Sequence, residues 1–257
     1  MIKAIFLDFD GTLYTHTDER VLPSTNKAIK QLQENGIKVF ICTGRSEIEL
    51  TWFNLGDLKF DGFIYNNGQV VFDNKGKLIY SNPIKGKLKD TIINLFIEKR
   101  LPVMLCDNRD VYINFANEHI TKVQKDVGSK LPEIREYDGN DVVMAAVYFT
   151  DDKDKNMLMN LKDEAEITYW HGGAVDIVPK GASKSKGIDE TIKYYGIKLE
   201  ETMAVGDGEN DMEMIKHCKI GIAMGNSQQE VKDVANYVTD HIDDDGLYKA
   251  FKYYNLI

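Results

Sequence analysis

The chain has 257 residues, enough for one large domain or two modest ones. Hydrophobic residues make up 43% and charged residues 28%, which is typical of a soluble globular chain with a substantial core. The net charge of −9 argues against a nucleic acid or an anionic membrane as the partner, because such binders usually carry a basic surface. The longest apolar run, residues 142–149, is far shorter than the roughly 20 residues of a transmembrane helix.

The cysteines and the N-terminus indicate a cytoplasmic protein. Cys42, Cys106 and Cys218 are far apart in the sequence, and none lies in a C-x-x-C pattern. We expect them to be reduced core residues, because disulfides are rare in the cytoplasm. The sequence reaches Asp8 too early to leave room for the apolar core of a signal peptide. The five His residues show no zinc-ligand spacing, so we expect no zinc site.

The first third of the chain alternates between apolar runs and helix-like segments. Residues 3–7, 37–42 and 62–65 have the composition of short buried strands. A helix is predicted over residues 23–36, with Ser24 as its N-cap and Gly36 at its end, and a second helix begins at Ser46. This alternation predicts a parallel sheet with helices on its faces.

The middle of the chain has a different pattern. A hairpin is predicted over residues 70–81, then a helix over 87–99 and a strand pair within 101–115. Another strand at 142–149, a helix at 153–161 and a strand region at 167–179 follow. Because apolar and polar residues alternate here, we expect an antiparallel sheet that is open on one face.

The last 75 residues return to the first pattern. Helices are predicted over residues 183–196, ending at Gly196, and over 212–218, with strands at 202–205 and 220–224. A further helix is expected to be capped by Ser227, a short strand follows it, and the acidic residues 243–245 are expected to cap the last helix. Those acids lack the ligand spacing of a calcium loop. The fold class is therefore α/β, with a core of residues 1–81 and 182–257 and an α+β insertion of residues 82–181.

Polar residues follow each predicted core strand. In an open parallel sheet these positions meet at one edge, where ligands bind. The strand ends carry Asp8 and Asp10; Thr43, Gly44 and Arg45; Asn66 and Asn67; and Asp207, Asn210 and Asp211, while Lys184 opens the helix before the last of these strands.

This set of residues fits phosphoryl transfer. Carboxylates such as Asp8 and Asp207 can hold Mg²⁺, which prefers oxygen ligands, and one carboxylate can attack phosphorus. Asp10, two residues after Asp8, would lie on the same side of an extended backbone and could transfer a proton. Taken alone, the D-x-D-G pattern also fits a turn or a helix cap. The G-x-G loop at 206–208 is a poor dinucleotide site, because its acids would repel a pyrophosphate.

Four motifs, "DFDGTL", "CTGR", "KGASK" and "GDGEND", resemble in order those of the haloacid dehalogenase-like hydrolases. The insertion resembles the type IIB cap of the Cof-type sugar-phosphatase group, as do "YNNGQVV" and "VDIVPKGASK". The resemblance covers nearly the whole chain and implies a Rossmann-like core and Mg²⁺ dependence. It also implies that the cap sets substrate specificity.

The resemblance also implies residue roles. Asp8 would be the nucleophile and Asp10 the general acid/base, while Asp8, Asp10 (through its carbonyl), Asp207 and Asp211 (in support) would form the metal site. Gly11, Thr43, Gly44, Lys184 and Asn210 would bind phosphate, and Arg45, Asn67 and Asp176 would contact substrate. The family usually has Gly directly after the motif Lys, so Lys186, which precedes Gly187, competes with Lys184; the spacing to Asp207 favours Lys184.

We therefore expect a phosphatase, with Mg²⁺ as cofactor, that acts on a small-molecule phosphate ester, in particular a sugar phosphate. A phosphomutase of the same family and a non-catalytic sugar-phosphate binding module are the alternatives. We expect a monomer or a weak homo-oligomer.

Overall fold

The computed structural model describes residues 1–257. The strands, in chain order, are β1 (Ala4–Leu7), β2 (Lys38–Cys42), β3 (Gly62–Tyr65), β4 (Val70–Asp73), β5 (Leu78–Ser81), β6 (Val103–Cys106), β7 (Val111–Ile113), β8 (Glu133–Ile134), β9 (Met144–Tyr148), β10 (Ala165–His171), β11 (Ala174–Pro179), β12 (Thr202–Gly206), β13 (Ile220–Ala223) and β14 (Tyr237–Val238). The α-helices are α1 (Pro23–Glu34), α2 (Glu47–Leu50), α3 (Gly86–Glu98), α4 (Glu118–Asp126), α5 (Asp152–Met159), α6 (Lys184–Tyr195), α7 (Met212–His217), α8 (Gln229–Asp233) and α9 (Gly246–Tyr253).

The chain forms two compact units. The first comprises Met1–Gly44, Phe53–Tyr80 and Ser183–Ile257, and the second comprises Arg45–Trp52 and Ser81–Ala182. The first unit is thus assembled from three chain segments, and the second also includes a short segment that directly follows β2. None of the helices is long and apolar enough to cross a membrane.

An eight-stranded sheet forms the centre of the first unit, in the order β14-β13-β12-β1-β2-β3-β4-β5. The strands from β14 to β3 pair in parallel, whereas β4 runs antiparallel to β3. Leu7 of β1 is aligned with Val205 of β12 on one side and Ile41 of β2 on the other. The residues that follow these three strands therefore leave the sheet at the same edge, and the predicted α/β class is confirmed.

Aromatic and aliphatic side chains hold β1 at the centre of the sheet. All four residues of β1 are fully buried, and the ring of Phe6 stacks on that of Phe40 in β2 with centroids 5.0 Å apart. Ile188 of α6 and Met214 of α7 belong to the same buried cluster. Because burial on both faces suits continuous apolar runs, the short runs of β1 and β2 were recognisable in the sequence.

Helix α6 packs closely against the turn that follows β3. Ser183 is its N-cap and accepts a hydrogen bond from the backbone N–H of Lys186 at 3.3 Å, and Gly196 ends it in the left-handed conformation, as predicted. A Cβ on Gly187 would lie 2.5 Å from Cγ2 of Ile64. Glycine at this position therefore lets the first turn of α6 approach β3, which fixes the place of Lys184.

The second unit is an α+β structure around a six-stranded sheet, in the order β10-β11-β9-β6-β7-β8. Its pairs are antiparallel except for β7 with β8. One face of the sheet packs against α3 and α5 in a cluster that includes Ile92, Phe96 and Leu158. The inserted α+β fold is therefore confirmed.

The expectation that this sheet is open on one face is wrong. Every residue of β9 is buried, whichever face of the sheet it lies on. Ala145 and Val147 belong to the cluster with α3 and α5, and Met144, Ala146 and Tyr148 are buried on the opposite face. Helix α4, which was not predicted, provides part of the cover, because its Gln124 donates a hydrogen bond to the Tyr148 hydroxyl at 2.9 Å. Asn117 caps α4, with Ile120 and Val123 on its buried side, a weak signal that the sequence did contain.

Two predicted helix caps are wrong, and a third is correct in position only. Helix α1 begins at Pro23 without a side-chain cap, and Ser24 instead donates to Asp245 at 2.5 Å. The side chain of Ser227 does not cap α8. Asp245 is the N-cap residue of α9, as expected for the acidic run, but its side chain makes no capping hydrogen bond. By contrast, Ser46 forms a reciprocal capping box with Glu49 at the start of α2. Short hydroxyl and carboxylate side chains bond to whatever donor or acceptor the tertiary fold brings near, so sequence spacing alone misplaces them.

The contact between Gly68 and α6 can be tested by substitution. Gly68 has a φ of +93°, and a Cβ there would lie 2.0 Å from the carbonyl oxygen of Ser183. Gly36 has a similar φ of +79° but no neighbour within 4 Å of its Cβ position. We expect Gly36→Ala to lower the free energy of unfolding by about 1 kcal/mol through left-handed strain, and Gly68→Ala to lower it by about 1–3 kcal/mol more through overpacking. Urea titration measures both, and equal losses would contradict the close contact.

Candidate active site

The loop after β1 brings Asp8 and Asp10 to the edge of the sheet. The backbone N–H of Asp8 donates to the carbonyl of Val205 at 2.9 Å, which continues the sheet pairing, and its side chain is buried. The chain then turns tightly, because the N–H groups of Leu13 and Tyr14 both donate to the carbonyl of Phe9. Asp10 lies within this turn, with its side chain partly exposed.

The loop after β12 lies so close to Gly11 that a side chain would not fit at this position. Its φ is +76°, and a Cβ there would lie 2.5 Å from Oδ2 of Asp207. The next residue, Thr12, donates its hydroxyl to Oδ1 of Asp207 at 2.8 Å. The loops after β1 and β12 are therefore in direct contact.

Lys184 is the centre of the buried charges. Its side chain is fully buried, and Nζ lies 2.5 Å from Oδ1 of Asp8 and 2.6 Å from Oδ1 of Asp211. Lys186, the competing lysine, is about half exposed and pairs with Glu190 one turn along α6. Helical spacing explains the difference, since residues two apart on a helix point in different directions.

The loop after β12 is held together by Asp211. Oδ2 of Asp211 accepts hydrogen bonds from the backbone N–H groups of Asp207 at 2.9 Å and Gly208 at 2.8 Å. Because its other oxygen accepts from Lys184, both oxygens of Asp211 are engaged within the protein. One oxygen from each of Asp8, Asp207 and Asp211 lies within 4.8 Å of the other two. This arrangement could hold a cation.

Burial and the neighbouring negative charges raise the pKa values of Asp8 and Asp207. Burial, together with the neighbouring charge of Asp211, raises the pKa of Asp8 well above its ordinary value, although Lys184 opposes this shift. Burial and Asp211 likewise raise the pKa of Asp207 to about 7, with the Thr12 hydroxyl opposing. Burial alone would lower the pKa of Lys184, but Asp211 and Asp8 outweigh it and raise that pKa. The site as a whole carries more negative charge than its single lysine balances.

The loop after β2 joins the same group of residues. Thr43 is buried, and its carbonyl accepts a hydrogen bond from the backbone N–H of Asn67 at 3.1 Å. Oδ1 of Asn67 accepts from Nδ2 of Asn210 at 2.9 Å, and a Cβ on Gly44 would lie 3.1 Å from that same oxygen. Thus Asn67 links the residues after β2 and β3 to the loop after β12.

Two predicted substrate residues, Arg45 and Asp176, belong to the second unit. Arg45 donates to Oγ of Ser129 at 2.5 Å and to the carbonyl of Val127 at 3.3 Å. Asp176, on β11, accepts a hydrogen bond from Nε1 of Trp170 at 2.8 Å. Their roles toward substrate remain predictions.

Sequence reasoning missed two residues that contact the loop after β1. Asn226 donates from Nδ2 to the carbonyl of Gly11 at 2.8 Å and accepts from the backbone N–H of Ile242 at 3.0 Å. His16 lies 2.7 Å from Asp10, between Nε2 and Oδ1. Asn226 follows β13 closely, so the strand-end rule that selected the other residues would have found it; His16 carries no such signal.

The two lysines differ in what they contribute to stability. Lys184→Met leaves two buried carboxylates without their cation, so we expect the free energy of unfolding to fall by about 3–5 kcal/mol. Lys186→Met removes only an exposed helix pair and should cost less than about 0.5 kcal/mol. Urea titration of both variants in EDTA at pH 8 measures the difference. Similar losses for the two variants would show that Lys184 is not paired in the interior.

The raised pKa of Asp207 predicts a pH dependence of stability. The folded chain holds the proton of this group more tightly than the unfolded chain, where the pKa is about 3.9. The free energy of unfolding in EDTA should therefore fall as pH rises from about 4 to about 7, with Asp8 acting in the same direction. Asp207→Asn should flatten this fall, whereas Asp57→Asn at an exposed site should keep it. An identical pH profile for Asp207→Asn and wild type would refute this assignment.

Comparisons with known proteins show the family of the chain. The family model described as haloacid dehalogenase-like hydrolase matches residues 5–251. The chain is 33% identical over 259 residues to YkrA of Bacillus subtilis strain 168, a protein named as a phosphatase, and the alignment covers 99% of this chain and 98% of YkrA. It is 29% identical over 267 residues to 5-amino-6-(5-phospho-D-ribitylamino)uracil phosphatase YcsE of the same strain, covering 99% and 96% of the two chains.

A solved structure gives the same assignment. It is described as the HAD subclass IIB sugar phosphatase BT4131 and superposes with a TM-score of 0.89 at 33% identity, covering 99% of this chain and 100% of that chain. HAD abbreviates the family indicated by the four sequence motifs. The chain belongs to the haloacid dehalogenase-like hydrolase family.

Proposed function

We propose that the protein is a Mg²⁺-dependent phosphatase that hydrolyses small phosphorylated metabolites, sugar phosphates in particular, through an aspartyl-phosphate on Asp8. The observation that carries the proposal is the buried carboxylate of Asp8, which lies 2.5 Å from Lys184 and has Asp207 and Asp211 beside it. YkrA and BT4131 are both named as phosphatases, BT4131 for sugar phosphates, and YcsE is named for a phosphoribityl compound.

The donor set fits Mg²⁺. The ligands would be carboxylate oxygens of Asp8 and Asp207 and the backbone carbonyl of Asp10, all hard oxygen donors. Asp211 would support this set from behind, because its oxygens already bond to Lys184 and to two backbone N–H groups. The raised pKa values of Asp8 and Asp207 favour the same conclusion, since added positive charge would relieve their repulsion. When bound, the ion would neutralise charge on the phosphoryl oxygens.

Asp8 would act first, as the nucleophile. Its ionised carboxylate attacks phosphorus and forms a new O–P bond, while the bond from phosphorus to the substrate's ester oxygen breaks. Asp10 gives its proton to that departing oxygen, so that an alcohol leaves. Lys184 and Thr43, together with Gly11, Gly44 and Asn210, would bind the phosphoryl oxygens as their charge increases.

Asp10 would act again in the second half of the reaction. As a carboxylate it takes a proton from water, whose oxygen attacks the phosphorus of the aspartyl-phosphate. The Asp8–phosphorus bond breaks, inorganic phosphate is released, and both aspartates return to their starting states. The nucleophile and the acid/base are therefore separate residues, two positions apart in the chain.

Recognition of the organic part of the substrate is assigned to the inserted residues 82–181. Asp176 of that segment is proposed to contact the substrate, as is Arg45, and Asn67 is proposed to lie near its phosphate. The proposal also places the protein in the cytoplasm, because all three cysteines are buried and unpaired. It takes the protein to be a monomer or a weak homo-oligomer.

Hydrolysis of p-nitrophenyl phosphate tests the proposal. We expect turnover in Mg²⁺ that EDTA abolishes and that excess Mg²⁺ restores. Asp8→Asn should lower kcat on the order of 10³-fold or more, because the nucleophile is lost. Asp57→Asn, an exposed substitution, is the matched control and should keep wild-type activity. Turnover that survives EDTA or Asp8→Asn would disprove the mechanism.

Thermal unfolding and product analysis complete this test. Mg²⁺ should raise the Tm of the wild type more at pH 8 than at pH 5, because Asp207, with a pKa of about 7, is ionised only at the higher pH. A panel of sugar phosphates then identifies the reaction: release of inorganic phosphate supports a phosphatase. Isomerised sugar phosphate would indicate a phosphomutase, and binding without turnover a recognition module.

A further inference from the structure

His16 makes a direct contact with the proposed acid/base. Its Nε2 atom lies 2.7 Å from Oδ1 of Asp10. A carboxylate can only accept a hydrogen bond, so when Asp10 is ionised the imidazole donates through a proton on Nε2. This contact fixes one oxygen of Asp10, and therefore the rotation of its carboxylate plane.

Aromatic side chains hold the imidazole ring of His16. The ring lies edge-to-face against Tyr14, with centroids 5.5 Å apart, and edge-to-face against Phe53, at 6.2 Å. Phe53 in turn packs against Phe9, the residue between the two aspartates, with centroids 5.1 Å apart. The ring of His16 is therefore part of an aromatic cluster that also supports the loop carrying Asp8 and Asp10.

The residues on both sides of His16 form hydrogen bonds to a carboxylate that is distant in the sequence. Thr15 and Thr17 flank His16, and their hydroxyls donate to the two oxygens of Asp243 at 2.5 and 3.0 Å. Thr15 also exchanges two backbone hydrogen bonds with Arg20, which closes the loop between them. Asp243 belongs to the acidic cluster that was expected to cap the last helix, and this contact gives it a different role.

Stability alone does not account for this arrangement. The side chains of His16 and Asp10 are 39% and 35% exposed, and contacts between such exposed groups contribute little to folding. The same contact can have a large effect on the reaction rate, because a misplacement of about 1 Å in a reacting group can cost on the order of 100-fold in rate. An anchored ring aimed at one carboxylate oxygen is suited to that purpose.

We propose that His16 is a positioning residue, which holds the carboxyl group of Asp10 in the orientation for proton transfer to the departing oxygen. The inference rests on the proposed function, because it takes Asp10 as the acid/base. In the first step the proton passes from Asp10 to the ester oxygen as the P–O bond breaks, and His16 keeps its own protons throughout. The expected defect without His16 is therefore specific to the departure of the leaving group.

The departure of the leaving group can be measured by comparing two substrates of similar shape, p-nitrophenyl phosphate and phenyl phosphate. Phenolate is a poorer leaving group than p-nitrophenolate, so phenyl phosphate depends more on protonation of the departing oxygen. The quantity to measure is the ratio of kcat/KM for p-nitrophenyl phosphate to kcat/KM for phenyl phosphate, in saturating Mg²⁺. We expect His16→Phe, which keeps an aromatic ring but has no donor, to raise this ratio on the order of tenfold.

Matched variants separate positioning from a structural effect. His16→Gln retains a donor at a similar reach and should restore a ratio close to that of the wild type. Asp10→Asn should raise the ratio at least as much as His16→Phe, and combining the two should add nothing further, because His16 acts through Asp10. His217→Phe is the control: it loses an equally short 2.7 Å contact, with Asp189, and should leave the ratio unchanged.

The outcomes distinguish this inference from the proposed function. A raised ratio for Asp10→Asn with a wild-type ratio for His16→Phe would overturn the role of His16 and leave the phosphatase mechanism intact. So would an additional rise in the double variant. An unchanged ratio for Asp10→Asn, or turnover that survives Asp8→Asn, would overturn the mechanism itself. Thermal unfolding checks each variant, and His16→Ala replaces His16→Phe if the larger ring prevents folding.

Discussion

One buried ammonium group connects distant parts of the chain. Lys184, fully buried, contacts Asp8 on one side and Asp211 on the other, 176 and 27 residues away. Moving three charges out of water is costly, and their attraction offsets that cost only when the geometry is close and the remaining oxygens are bonded. Both conditions hold for Asp211, which contacts Lys184 at 2.6 Å and accepts backbone N–H bonds on its second oxygen, and Asp8 meets the first condition with its 2.5 Å contact. Even so, the pKa of Asp8 is raised, so the negative charge is only partly balanced.

Much of the core fold could be predicted, because its elements leave strong local signals. The apolar runs of β1 and β2 follow from burial on both faces of a parallel sheet, and the ends of parallel strands meet at one edge whatever the details of packing. From the sequence, that rule predicts that Asp8, Thr43 and Asp207 lie near one another. It also explains why Asn226, which follows β13, belongs with them.

Contacts formed only by the tertiary fold were beyond prediction. Ser24 and Asp243 looked like cap residues, yet each bonds to a residue more than 200 positions away. Nothing in the spacing of His16 and Asp10 predicts their contact, which depends on how the loop between them turns. For the choice between Lys184 and Lys186, the sequence spacing to Asp207 favours Lys184, and the structure adds the physical difference that Lys184 is buried whereas Lys186 is half exposed.

The position of β1 in its sheet has a consequence for biosynthesis. β1 is translated before the other strands of this sheet, but it lies between β2 and β12, and β12 is completed only at Gly206. Until then a nascent chain has one side of β1 unpaired, with its apolar residues lacking a neighbouring strand. The inserted unit, whose sheet pairs β6 to β11 among themselves, is finished earlier. The first strand therefore has to remain unaggregated while about 200 further residues are translated, a period in which chaperone protection would matter most.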